Sequence, residues 1–158
     1  MKNGFRYKKT NDLDFSHPGY AWAITRNAYE KIGGLYELSI LGSGDHNMLL
    51  GLFGLGADSL HFKVHSGYKQ SIALYESKLK MLRFGYVPTI IRNYFHGSKK
   101  NRKNTERWNI LVDNGFNPLT HLTHAQDGLL IPTSECPKKL LDDILSYFVE
   151  RNEDEYFK

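Results

Sequence analysis

The 158-residue chain has one cysteine, Cys136, so no disulfide can form within it. A lone cysteine fits a reducing compartment and a cytoplasmic protein, although such a chain would also survive outside the cell. No apolar run approaches the length of a membrane span, and the basic N-terminus lacks the apolar stretch of a signal peptide. We therefore expect neither a membrane span nor a secretion signal in the chain as given.

The common cofactor-binding and catalytic motifs are also missing. The segment "GLGADS" has neither the lysine nor the spacing of a phosphate-binding loop, and "GSGDH" is not the nucleophile elbow of a hydrolase. His61 and His65 stand four residues apart, but "HFKVH" has no glutamate after the first histidine and looks like a strand. A zinc site there is not expected. Cys136 has no obvious paired base, which argues against a thiol nucleophile.

What is present is the composition of one soluble globular domain, with 41% hydrophobic and 24% charged residues. The net charge of +4 favours anionic partners, and phosphates on a nucleotide or on nucleic acid would satisfy it equally. No nucleic-acid-binding motif is present, so nucleic acid is the less favoured partner.

The chain divides into an irregular lead-in, residues 1–16, and a single domain, residues 17–158. Residues 19–25 and the stretch "TIIRNYF" after Pro88 are typical of strands. Helices are predicted at "RNAYEKIGG", ending at Gly33 or Gly34, and from Asp45 onward. The segment "NPLTHLTHAQDG", residues 117 to 128, is expected to be a loop. The fold class indicated is α/β, a short mixed sheet with flanking helices.

Three further helices follow from apolar periodicity. A 3.6-residue period predicts one in "GYKQSIALYESKLKMLRFG", ending at Gly85, and another covers "KKNRKNTERWNILVDNG", ending at Gly115. The last spans "CPKKLLDDILSYFVERNEDEYF". Its expected inward residues are Leu141, Ile144, Leu145 and Phe148.

Two places carry candidate chemistry. The turn "GSGDH" presents Asp45, which could act as a general base toward a hydroxyl, although Ser43 or Asp45 could equally be an ordinary helix N-cap. His96 stands at a predicted strand end, directly before a cluster of cations at a helix start. That cluster either binds an anion or forms a solvated basic face; it comprises Lys99, Lys100, Arg102, Lys103 and Arg107.

At these residues the chain resembles the C-terminal, acceptor-side half of nucleotide-sugar glycosyltransferases of the GT-A fold, of the family 2 and galactosyltransferase C-terminal types. "GYAWAITRNAYEKIGGLYE" is similar to their small-residue strand and short helix leading to "GGL", and "GSGDHNM" to their "GxGxED" or "GGED" turn. "IIRNYFHGSKKNRKNTERWNIL" resembles their strand-end histidine and basic stretch. The three motifs, in the family's order, cover about residues 17 to 114.

The resemblance implies roles for individual residues. Asp45 would be the catalytic base or the acid that orients the acceptor, and His96 would be a ligand of Mn²⁺ or Mg²⁺. Gly44, His46 and Trp22 would contact the acceptor. His46 departs from the family, which often has a second acid there. The donor, a nucleotide sugar of the UDP type, would be contacted by Gly19, Ala21, Lys99, Lys100 and Arg102.

The resemblance also implies that something is missing. Family members begin with a nucleotide-binding βαβ half and a "DxD" metal motif, and "DLD" at residues 12–14 matches that motif in letters only. The expectation is therefore a glycosyltransferase, or a fragment of one, acting on a glycan or other hydroxyl acceptor and completed by a separate chain that carries the N-terminal half. The alternative is a non-catalytic module that binds glycans or polyanions.

Overall fold

A computed structural model describes residues 21–92, 103 and 106–150. These residues form an α/β arrangement of helices and one small antiparallel sheet, which confirms the expected fold class at that level. The helices are α1 (Arg26–Ile32), α2 (Gly44–Leu52), α3 (Ser66–Leu79), α4 (Glu106–Asp113), α5 (Pro118–His121) and α6 (Lys138–Glu150). The strands are β1 (Leu122–His124) and β2 (Leu130–Pro132), and a 3₁₀ turn spans Gly56–Ser59.

Helix α1 begins and ends as the sequence predicts. The Thr25 hydroxyl accepts a hydrogen bond from the Ala28 backbone N–H at 3.2 Å, which satisfies one of the free donors of the first turn. Gly33 ends the helix with a φ of 77°, in the left-handed region that glycine adopts without steric cost.

Helix α3 is the centre of the core. Its predicted period is confirmed, because Tyr68, Ile72, Tyr75 and Leu79 are all buried. The helix ends at Leu79 and not at the expected Gly85, since the N–H of Leu82 turns back to the Leu79 carbonyl in an i to i−3 bond. The core is completed by residues of α1, the following loop, α4, α6 and the segment before α5: Ile32, Tyr36, Leu41, Leu111, Phe116, Leu140 and Tyr147.

The strand predictions are wrong where the structure describes those residues. Residues 21–25 and 88–92 have no regular secondary structure and are exposed, with Ile90 90% accessible. Neither stretch pairs with a strand among the described residues, and a strand exists only through its ladder partners. Instead β1 and β2 pair within the segment that begins in the predicted loop, with Thr123 opposite Ile131. Residues 61–65, interpreted as a strand, form a turn before α3.

Helix α6 buries a different face from the predicted one. Leu140 and Tyr147 are buried and Ile144 packs partly against the core, whereas Leu145 is 66% exposed and Leu141 and Phe148 are also exposed. The helix has two apolar stripes, and periodicity alone does not say which of them meets the core.

Within the described part of the chain, none of the helices combines the length and the apolar character needed to cross a membrane.

Candidate anion-binding cleft between α2 and α4

The predicted "GSGDH" turn forms the start of α2 through two residues with positive φ. Gly42 has a φ of 98° and Ser43 a φ of 73°, and the first helical residue is Gly44. Positive φ is uncommon for a residue with a Cβ and is enriched at functional sites. Ser43 occupies the N-cap position, but its side chain caps no N–H of the helix. The interpretation of Ser43 as an ordinary N-cap is therefore wrong, because Ser43 occupies the position without capping the helix through its hydroxyl.

The Ser43 hydroxyl instead accepts a hydrogen bond from Arg107, in the first turn of α4. Arg107 Nη2 lies 2.8 Å from Ser43 Oγ, and Nη1 lies 3.3 Å from the Leu41 carbonyl oxygen. The guanidinium passes so close to Gly42 that a Cβ there would stand 2.5 Å from Nη1. A glycine at 42 thus allows both the backbone conformation and the approach of the arginine.

A cleft of about 410 Å³ opens between these two helix starts. Its volume falls at the lower end of the range for small-molecule sites. The lining residues come from the start of α2, the end of the 3₁₀ turn and the first turn of α4: Ser43, His46, Ser59, Leu60, His61, Arg107, Trp108 and Asn109.

The charge of Arg107 has no acidic partner among the residues that the structure describes. Its buried Nε atom has no hydrogen-bond acceptor within the described ranges. A buried donor without an acceptor and a partly buried charge without a counter-charge both cost free energy. An oxyanion bound in the cleft would offset the cost of the charge.

His46 faces the same cleft and responds to the same charge. Burial lowers the pKa of its imidazole; Asp45 next to it opposes this change, and Arg107 adds to it. His46 is therefore biased toward its neutral form, in which the ring presents one donor and one acceptor to a ligand.

Aromatic rings form another wall of the cleft. The rings of His61 and Trp108 are close to parallel, at 27° with centroids 6.4 Å apart, and Tyr68 lies behind Trp108 with centroids 6.4 Å apart. Trp108 packs against the core while also lining the cleft. A flat apolar surface beside a cation suits a ring that carries a negative group.

The structure brings only some of the predicted site residues together. Gly44, Asp45 and His46 share the first turn of α2, and of these His46 lines the cleft while Asp45 is partly exposed beside it. Ala21 and Trp22 lie in the irregular stretch 21–25 and are not among the lining residues. The remaining predicted contacts lie outside the described residues: Gly19, His96, Lys99, Lys100 and Arg102.

Two members of the basic cluster, Lys103 and Arg107, are among the described residues, and they have different partners. Lys103 pairs with Glu150 of α6, whereas Arg107 joins the "GSGDH" turn. His61 was considered only as a zinc ligand, and its place beside Trp108 was not foreseen. The sequence held one usable signal, a glycine directly before Ser43 that leaves room for a large side chain from elsewhere.

Among the described residues, no three His, Cys, Asp or Glu side chains come together in a way that could hold a metal ion. The described residues therefore do not by themselves fit the divalent cation that the resemblance implies.

Comparison with known proteins adds no identification: no family model, curated protein or solved structure matches this chain.

Proposed function

We propose that this chain is the acceptor-side part of a glycosyltransferase that moves a sugar from a nucleotide-diphosphate donor to a hydroxyl group of a glycan or other acceptor. The proposal rests on the resemblance of three ordered motifs to the C-terminal half of GT-A enzymes. Its structural support is the contact between Arg107 and the "GSGDH" turn.

That contact carries the proposal because it joins two motifs that are far apart in the sequence. Arg107 Nη2 and Ser43 Oγ belong to residues 64 positions apart, one in the basic stretch and one in the acidic turn. A transferase of this class needs a carboxylate near the attacking hydroxyl and cations near the departing diphosphate. The proposal assigns Asp45 to the first need and Arg107 to the second; Arg107 lines the cleft, and Asp45 is next in sequence to His46, which also lines it.

Asp45 is the proposed base. In the reaction the acceptor oxygen forms a bond to the anomeric carbon, the bond from that carbon to the diphosphate oxygen breaks, and the hydroxyl proton passes to the carboxylate. Asp45 stands in the first turn of α2, next to His46, which lines the cleft. A divalent cation held by His96 and carboxylates outside the described residues would offset charge on the diphosphate.

A separate chain with the nucleotide-binding half is the proposed partner. The support for it is apolar surface: Tyr86, Val87 and Ile90 are more than 70% exposed in a stretch whose composition is typical of a strand.

The experiment that tests the function is sugar transfer from UDP-sugars to glycan acceptors by the chain and by Asp45→Asn. We expect a loss of about 100-fold or more, because an amide cannot take the proton. Asp113→Asn, at the exposed end of α4, is the matched control and should leave the rate unchanged. Retained turnover in Asp45→Asn would remove that residue from the mechanism.

A second candidate is a non-catalytic module that binds glycans or polyanions, favoured by the unpaired charge of Arg107 and the net charge of +4. Salt separates the two candidates. Polyanion binding through several cations should weaken steeply as salt rises, whereas recognition of an uncharged glycan should not.

A further inference from the structure

Among the described residues, Arg107 donates hydrogen bonds to two acceptors, although a guanidinium has five donors. Both acceptors, the Leu41 carbonyl and the Ser43 hydroxyl, are neutral, so they fix its position without cancelling its charge. The buried Nε has no acceptor in that part of the chain. A guanidinium held in this way is preorganised for an acceptor with a negative charge.

The start of α2 contributes to the same place. The Ser43 hydroxyl accepts a hydrogen bond from Arg107, and the Ser43 side chain therefore leaves the first-turn N–H groups of α2 uncapped. Free N–H groups at a helix start attract oxyanions. The Asp45 carboxylate lies in the same turn and competes with a ligand for these N–H groups only in part, because it is partly exposed. Arg107 lines the cleft without an acidic partner in the described part of the chain, which is an independent indication of the same ligand chemistry.

We propose that the cleft between α2 and α4 is a binding site for an oxyanion, a phosphate or carboxylate group carried by a sugar, with Arg107 as its main contact and the His61 and Trp108 rings against the attached ring. The volume of about 410 Å³ suits one sugar and its charged group better than a whole nucleotide sugar. The identification of the ligand as a sugar rests on the proposed function, whereas the oxyanion contact does not.

Two substrates could bring this group, the diphosphate of the donor or an acidic acceptor sugar. The test titrates the ¹⁵N-labelled chain with inorganic phosphate, glucuronate and UDP, and with glucose and uridine as neutral counterparts. The expected result is that the three anions shift the amide signals of residues 42–47 and 107–109, and that the neutral compounds bind at least about tenfold more weakly. Glucuronate tighter than UDP identifies an acidic acceptor, and the reverse order identifies the donor.

The imidazole of His46 gives a second readout that needs no variant. A bound anion favours the protonated ring, so the His46 pKa measured by NMR should rise on addition of phosphate. The amide signal of exposed His124, which pairs with Glu37 away from the cleft, should not move on the same addition. An unchanged His46 in the presence of saturating phosphate would overturn the proposal.

Arg107→Gln should weaken phosphate binding by roughly tenfold to a hundredfold, because one charge-assisted contact is lost. Exposed Arg83 is the matched control, and Arg83→Gln should bind as the original chain does. Equal affinity in both variants, or equal binding of glucose and glucuronate to the unmodified chain, would contradict the proposal. If the original chain binds oxyanions and Arg107→Gln still transfers sugar at the normal rate, the cleft is an anion site that takes no part in the transfer step.

Discussion

Arg107 and Gly42 show how much of the cleft depends on single residues. The guanidinium occupies the space where any larger residue at position 42 would place its Cβ, and it takes the Ser43 hydroxyl as its acceptor. Gly42, Ser43 and Arg107 are therefore coupled, and changing one of them should alter what the others bind.

Gly42→Ala separates backbone strain from displacement of Arg107. Gly42 and Gly128 both have positive φ, 98° and 84°, but a Cβ at Gly128 would meet nothing within 4 Å. Both alanine variants should lose about 1–2 kcal/mol of unfolding free energy from the backbone. Only Gly42→Ala should also weaken phosphate binding, since Arg107 must move. Chemical denaturation and a phosphate titration of both variants measure this, and equal phosphate affinities would show that Arg107 is not displaced.

The stability of the chain should fall as the pH drops below neutrality. Burial lowers the pKa of His46 in the folded state and also lowers that of His121, so the unfolded chain, with histidine pKa values of about 6.5, takes up protons first. Their contribution to stability is complete above about pH 6.5 and is lost toward the lower folded pKa values. Urea unfolding at about pH 7.5 and about pH 5 should show a smaller difference for His46→Gln than for the original chain. An undiminished difference would mean that His46 is not the group that titrates.

At the scale of elements, the sequence predicts what local chemistry determines. The start and end of α1 follow from Thr25 and Gly33, and the core face of α3 follows from a regular period. Strands at 19–25 and after Pro88 could not be predicted reliably in this way. β-Branched residues show that a segment is suited to a sheet, but they do not show whether a neighbouring strand is present to pair with it.

The candidate site likewise has a part that follows from local sequence and a part that depends on tertiary packing. Asp45 and His46 were identified from their own turn, since the motif is local. The position of Arg107 against Ser43 depends on how α4 packs near α2, and no pattern within either segment encodes a contact across 64 residues. The choice between the two apolar stripes of α6 was likewise made by tertiary packing.

Two leucines of α6 test which stripe supports the core. Leu140 is 0% exposed and Leu145 is 66% exposed, and both stand on the same helix. Leu140→Ala should lower the free energy of unfolding by about 2–4 kcal/mol, because it leaves a cavity. Leu145→Ala should lower it by less than about 1 kcal/mol. Denaturant unfolding compares them, and a larger loss at Leu145 would place the core on the other stripe.

At the scale of the whole molecule, the described residues form one core around α3 while apolar side chains remain exposed elsewhere. They are spread over the described residues, and those more than 70% exposed are Phe62, Tyr86, Val87, Ile90 and Val149. An exposed apolar stretch such as residues 84–91 is typical of an interaction site. A partner at that stretch stays a proposal, separate from the proposed binding of a small ligand in the cleft between α2 and α4.

The most direct test of the central claim is to map where an oxyanion binds on the full chain. Titrating the ¹⁵N-labelled protein with inorganic phosphate should shift the amide signals of residues 42–47 and 107–109, because the cleft between α2 and α4 is the proposed oxyanion site. Signals that move only in residues 84–91 or on α6, or none that move while the chain is folded, would contradict the account.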